Sequence, residues 1–248
     1  MSTGFSNALP AFRAAGLAVA AALAFTSCTS ASGTGPDRIS RVLVIGDSMA
    51  LGDGAGASGP DCGKTIQETA RPDQAYGPVV ATALGADISV LAVVGRGLVY
   101  NYENGTAPNM QTWLGYPKYE RLPPRREAPG LVIIHLGTND FYKHDAGAEF
   151  TDAYADLADH ILSRYPHAKL VAMIGPMLDE QERSRASDAI TTALARLPEK
   201  EAARATFIRV EPSELGDDWV GCDWRPTVAA HQKMAGMILS DLGLEQAH

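Results

Sequence analysis

The chain has 248 residues, 46% of them hydrophobic and 20% charged, with a formal charge of −8 at pH 7. That length makes one domain with a full core, or at most two small ones. The acidic balance, with no basic block to neutralise phosphates, excludes nucleic acid as an expected partner.

The N-terminus reads as an export signal. Arg13 precedes twelve apolar residues, Ala14 to Phe25, too few for the about 20 that span a bilayer but suited to the apolar centre of a signal peptide. Phe25-Thr26-Ser27-Cys28 resembles a bacterial lipobox with Cys28 as the lipidated residue. Ordinary cleavage after Ala31 is the alternative. Residues 1–28 are thus expected to be a signal, 29–40 a Ser/Thr/Gly-rich flexible tether, and 41–246 the folded domain. The protein is expected in the periplasm or cell envelope, touching a membrane only through that anchor.

Past the tether, apolar runs alternate with helical periodicity. Arg41 to Gly46, Ile88 to Val94, Leu131 to Leu136, Lys169 to Ile174 and Thr206 to Val210 are apolar without strict alternation, as strands buried on both faces are. Helical patterns cover Asp73 to Leu84, Ala148 to Tyr165, Ser184 to Leu197 and Thr227 to Leu242; the third has no fixed start after Leu178. Strand–helix alternation implies an α/β fold, a three-layer α/β/α sandwich around a five-stranded parallel sheet of flavodoxin-like order. Ligands of such sheets sit at the carboxyl ends of the strands.

Two long connections, Leu51 to Pro72 and Gly97 to Pro129, have the length of functional loops. The second carries Tyr100, Tyr102, Trp113, Tyr116 and Tyr119, rings able either to stack on sugars or to fasten the loop to the core. Cysteine usage agrees with export. With Cys28 lipidated or removed, Cys62 and Cys222 remain, either as a disulfide or as two buried thiols. An oxidising compartment favours the disulfide, which would pin two site loops together at about 3–5 kcal/mol of loop-closure entropy. His135, His144, His160 and His167 form no cluster in the sequence, and neither a metal nor an organic cofactor is implied.

Three segments carry the chemistry. Val44-Ile45-Gly46-Asp47-Ser48-Met49 places a serine at the tip of a buried strand, hydroxyl exposed and backbone N–H free, as a nucleophile requires. Leu136-Gly137-Thr138-Asn139-Asp140 ends another buried strand, and Cys222-Asp223-Trp224-Arg225-Pro226 opens the last helix. Ester hydrolysis needs a nucleophile, a base and donors aimed at the oxyanion. Ser48 with its own N–H, the Gly95 N–H and the Asn139 amide fill the first and last roles, each donor contributing about 3–4 kcal/mol to the transition state.

In this order the segments resemble the SGNH (GDSL-type) hydrolases. More narrowly, Val94-Gly95-Arg96-Gly97-Leu98 with Asn101-Tyr102, then Leu136 to Phe141, Gly221 to Trp224 and His231 to Ala235 are similar to carbohydrate esterase family two. That family removes acetyl groups from xylan and related polysaccharides. The resemblance covers about Arg41 to Leu244, without the jelly-roll domain that members commonly carry ahead of the hydrolase domain. It implies Ser48 as nucleophile, Gly95 and Asn139 in the oxyanion hole, Trp224 lining the acyl or sugar site, and acylated carbohydrate as substrate. It also places Arg225 where the family has the histidine that activates the serine. Arginine stays protonated and cannot be a general base. A substitute base, His231 or Asp223, loss of hydrolysis with Arg225 gripping an anionic glycan, or a different acyl chemistry on the same scaffold, such as transfer with a substrate-supplied base, are the expected answers. His231 would lie about one and two-thirds turns beyond residue 225 if the last helix includes that residue, with packing or capping within the helix as its other role, and Asp223 would serve only with burial to raise its pKa.

Overall fold

The computed structural model describes residues 39–102 and 108–244. The export signal, Cys28 and nearly all of the tether lie outside the described residues.

Five strands form one sheet: β1 (Arg41–Gly46), β2 (Asp87–Ala92), β3 (Leu131–His135), β4 (Lys169–Ile174) and β5 (Ala205–Arg209). Every pairing is parallel, and the order is β2-β1-β3-β4-β5. The expected flavodoxin-like α/β sandwich is the one observed. Among the described residues eight α-helices connect or follow these strands: α1 (Ile66–Thr69), α2 (Tyr76–Leu84), α3 (Met110–Trp113), α4 (Thr138–Phe141), α5 (Gly147–Arg164), α6 (Glu180–Leu194), α7 (Glu199–Ala202) and α8 (Val228–Asp241). Among the described residues no helix is long and apolar enough to cross a membrane.

The central strands are apolar throughout because both their faces are covered. Leu43, Ile45, Val132 and Ile134 point into one core with Phe150, Tyr154 and Leu157 of α5 and Ile190 of α6. Val42, Val44, Leu131 and Ile133 point the other way, onto Tyr76 and Val80 of α2 and Met234 and Ile238 of α8. Adjacent residues thus feed opposite layers, as the two-residue strand repeat dictates.

Helix boundaries depart from the sequence reading where caps decide them. α6 starts at Glu180 because Asp179 and Glu182 close a capping box, each accepting from the other's backbone N–H. The pattern from Asp73 divides into a single turn, Pro72–Gln74, and α2, because Ala75 is extended at φ −66°, ψ 156°. α8 begins only at Val228, with the Thr227 hydroxyl accepting from the Ala230 N–H. Arg225 is extended at φ −85°, ψ 155°. The last helix therefore does not include Arg225, and the condition under which His231 would stand one and two-thirds turns from it is not met. The connection Gly97 to Pro129 is not structureless either: it holds α3 and the turn Arg125–Glu127, and it buries Leu98, Met110, Leu114, Tyr119 and Leu122.

Candidate active site

β1 lies between β2 and β3, so the loops leaving all three strands meet at one edge of the sheet. The chain reverses its winding there, which is where such folds open a crevice. Ser48 follows β1 in a turn held from both sides. Its carbonyl accepts from the Leu51 and Asp53 N–H groups, both at 3.2 Å, and Asp47 Oδ1 accepts from the Met49 N–H at 3.0 Å. Ser48 is 7% exposed, and no described residue hydrogen-bonds its hydroxyl.

Asn139, in the first turn of α4, donates through Nδ2 to Asp47 Oδ2 at 2.9 Å and to the Arg96 carbonyl at 3.1 Å. Both amide hydrogens are thus engaged, and an oxyanion beside Ser48 has to compete with the Arg96 carbonyl for one of them. Gly95 has φ +71°, a value L side chains rarely adopt. Two residues on, a Cβ at Gly97 would lie 2.0 Å from the Tyr100 carbonyl oxygen and 2.5 Å from Asp140 Oδ2. The loop is that tight because the Asp140 carboxylate accepts three of its backbone N–H groups, from Leu98 at 2.9 Å, Val99 at 2.8 Å and Tyr100 at 3.0 Å.

Both carboxyls behind the motif titrate unusually high. Burial pushes Asp47 up to about 7, opposed by the Met49 N–H and by the Arg225 charge. Burial also pushes Asp140 up to about 6, against the pull of its three N–H donors. Sequence reasoning assigned neither a role, since their partners lie 92 and 40–42 residues away. The visible signal was an acidic residue beside each motif's functional residue.

Ser48, Gly95 and Asn139 open into one cavity of about 420 Å³, whose walls include Tyr102, Tyr142, Trp219, Asp223, Trp224 and Arg225. Trp224 is 62% exposed and Tyr102 47%, and the Tyr102 and Tyr142 rings stack with centroids 5.4 Å apart. Of the expected aromatics, Tyr119 is buried and Trp113 lies under Arg121 at 4.7 Å, so these fasten the loop instead.

The segment after Gly221 is pinned from several directions. Cys222 is disulfide-bonded to Cys62, with Cα atoms 5.2 Å apart. The Cys222 N–H donates to the Gly54 carbonyl and the Asp223 N–H to the Pro60 carbonyl, both at 3.0 Å. These ties hold Asp223 and Trp224 at φ +51° and +60°, two consecutive left-handed non-glycine residues, a conformation that persists only where its surroundings enforce it. Asp223 is thereby turned outward. Its side chain is 62% exposed and ion-paired to Arg225 Nη1, so the burial its use as a base called for is absent.

Arg225 itself is 11% exposed at the side chain, and its stem packs on Gly54, where an added Cβ would lie 2.9 Å from the Arg225 Cβ. Its charge also acts on buried Asp53, lowering a pKa that burial raises. The guanidinium thus meets Asp223 through Nη1 and acts on Asp53, while its Nε has no hydrogen-bond partner among the described residues. The structure takes His231 elsewhere. It is fully buried on α8, its Nδ1 accepts from the Tyr76 N–H at 3.4 Å, and its ring stacks on Tyr76 at 5.9 Å. It is absent from the walls of the Ser48 cavity. His135 joins it from the other side, with Nδ1 3.1 Å from the Tyr76 hydroxyl. Burial lowers His231 to about 4 and His135 to about 3, so both rings are neutral structural members. Among the described residues no group of three or more His, Cys, Asp or Glu side chains is placed to hold a metal ion.

A parallel α/β/α sandwich with serine, glycine and asparagine motifs at adjoining strand ends is the architecture of the SGNH-type hydrolases. The chain belongs to the GDSL-like Lipase/Acylhydrolase family, whose profile matches residues 44–233. It is similar to a cellulase/esterase of Acetivibrio thermocellus, 30% identical over 67% of this chain and 21% of that protein. It is also similar to an acetylxylan esterase/glucomannan deacetylase of Cellvibrio japonicus, 25% identical over 84% of this chain and 60% of that one. Less than two thirds of either relative is thus spanned. Among solved structures, a carbohydrate esterase family 2 enzyme with a carbohydrate-binding domain, from Corynascus thermopiles, superposes with a TM-score of 0.66 at 33% identity. It covers 82% of this chain and 67% of that one. A family two carbohydrate esterase from Clostridium thermocellum gives 0.70 at 24% identity, over 83% and 64%, a likeness of fold.

Proposed function

We propose that this protein is an exported serine esterase that removes small acyl groups, O-acetyl above all, from carbohydrate. The observation that carries the reading is the opening of Ser48, Gly95 and Asn139 into one cavity rimmed by exposed aromatic rings. Its relatives' names, acetylxylan esterase and glucomannan deacetylase, support the same substrate class.

Ser48 Oγ attacks the ester carbonyl, and the oxyanion is received by the Ser48 and Gly95 N–H groups and the Asn139 amide. Asp223, on the cavity wall, is left as an exposed, ion-paired and therefore weak acceptor for the serine proton, directly or through one water, so turnover is expected to be slow. Arg225 fixes that carboxylate's orientation through their ion pair. The leaving sugar hydroxyl takes the proton back, and water then releases the acyl group from Ser48. Trp224, Tyr102 and Tyr142 offer flat apolar faces to the sugar.

A second reading is a glycan-binding module that has lost hydrolysis. Arginine at position 225 and the full engagement of both Asn139 amide hydrogens favour it. A serine-directed fluorophosphonate separates the two. The esterase reading expects stoichiometric labelling at Ser48, found by peptide mass. Absence of labelling on the folded protein would favour the binding module.

A further inference from the structure

A second cavity, of about 390 Å³, lies between α5 and the connection that follows β2, and none of the chemistry above uses it. Its walls include Gln111, Tyr116, Glu149, Asp152 and Asp156. The three acids fall at intervals of three and four along α5 and so share one helix face. Tyr116 stands 51% exposed, its ring braced edge-on by buried Tyr119 at 5.7 Å.

A continuous line of contacts joins this cavity to the Ser48 pocket. Tyr102 and Tyr142 stack at the pocket wall. Two residues further along the turn, His144 packs against Tyr100 at 6.1 Å. The Tyr100 hydroxyl then donates at 3.0 Å to Glu149, in the wall of the second cavity. Tyr100 and Tyr102 are exposed along this path, at 38% and 47%.

Exposed rings beside carboxylates and an amide suit a sugar chain: its apolar faces cover rings, and its hydroxyls donate to carboxylate oxygens. Each carboxylate offers about four acceptor positions, so the bonds Glu149 takes from Tyr100 and Asp156 takes from Tyr119 leave others open. A uronate or phosphate would instead meet like charge from Glu149 and Asp156, Asp152 being paired with Arg196 at 2.5 Å.

We propose that this second cavity is a distal subsite for the uncharged glycan chain bearing the ester, with Tyr116 and Glu149 holding the chain while its acyl group lies at Ser48. The identity of the ligand rests on the esterase reading; the site itself rests on the cavity and its connection to the pocket.

The test uses the full chain with acetylated xylohexaose, acetylated xylobiose and 4-nitrophenyl acetate as substrates. Calorimetry with unacetylated xylohexaose runs alongside, and thermal unfolding checks each variant's fold. Tyr116→Ala and Glu149→Ala are each expected to raise KM and Kd for the hexaose about five- to tenfold, the loss of one stacked or hydrogen-bonded contact. Constants for acetylated xylobiose and 4-nitrophenyl acetate stay at native values, and Tyr116→Phe, which keeps the ring, behaves as native on the hexaose. Hexaose constants unchanged in both alanine variants, or raised equally for xylobiose, would overturn the proposal, as would a native protein with no affinity for xylohexaose. A native protein that hydrolyses none of the esters defeats the esterase reading alone, and the Kd comparison still decides on the subsite.

Discussion

Asp140→Ala is the sharpest test of how the second oxyanion donor is held in place. The carboxylate accepts the Leu98, Val99 and Tyr100 N–H groups, and a hydrogen bond to a charged acceptor is worth about 1.5–3 kcal/mol. Not all of that is lost on truncation. Val99 and Tyr100 are both partly exposed, Tyr100 at 38%, so water can replace the acceptor for their N–H groups, while Leu98 is fully buried and its donor is stranded. The raised pKa of Asp140 also shows that keeping the ionised carboxyl buried already costs part of what the three bonds return. One stranded donor and two weakened bonds come to about 2–4 kcal/mol of lost stability. The loop from Gly95 to Gly97 would also loosen, and misplacing a donor by about 1 Å costs on the order of 10²-fold in rate. Urea unfolding gives the first quantity and 4-nitrophenyl acetate kinetics the second. Asp140→Asn should fall between, since one oxygen can still serve Val99 and Tyr100 while its NH₂ faces the Leu98 N–H. An alanine variant within about 0.5 kcal/mol of native, with unchanged kcat/KM, would refute the idea that Asp140 sets this loop.

Other consequences follow from the same geometry. His231, lowered to about 4 by burial, against about 6.5 when unfolded, contributes stability that is fully present above pH 6.5 and is lost as pH falls toward 4. Asp47, raised to about 7, acts oppositely, favouring the native state as pH falls through 7; His231→Gln should therefore flatten the acid side of a stability–pH curve and leave the neutral side unchanged. Reduction of the Cys62–Cys222 bond, or Cys62→Ser, removes a cross-link spanning 160 residues and should cost about 3–5 kcal/mol, with KM rising as Asp223 and Trp224 lose their backbone constraint. An unchanged melting temperature after confirmed reduction would contradict that. Expression with labelled palmitate should mark Cys28, and Cys28→Ala should abolish the label; cleavage after Ala31 would leave both forms unlabelled.

Much of the fold was legible because its strands are buried on both sides. Arg41–Gly46 and Lys169–Ile174 stand where their apolar runs put them. β2 starts one residue earlier than its run and stops two residues short of it, since it is an edge strand and Val94, 51% exposed, has already turned into the pocket wall. Periodicity carried α8 back to Thr227 but said nothing of how Arg225 is held, and the helix starts too late to join it to His231. The motifs named the serine, the glycine and the asparagine, and the structure gathers them at one cavity. What local sequence does not encode is direction. Nothing around residue 140 indicates that its carboxylate reaches three amides about 40 residues earlier, and nothing around residue 223 indicates that its side chain is turned outward to pair with Arg225.

The central claim is hydrolysis by Ser48 despite arginine at position 225. Turnover of 4-nitrophenyl acetate by the native protein, Ser48→Ala and Arg225→His tests it most directly. The account predicts native turnover that Ser48→Ala abolishes. No native turnover, with activity arising only in Arg225→His, would contradict it and leave an intact oxyanion site without a base.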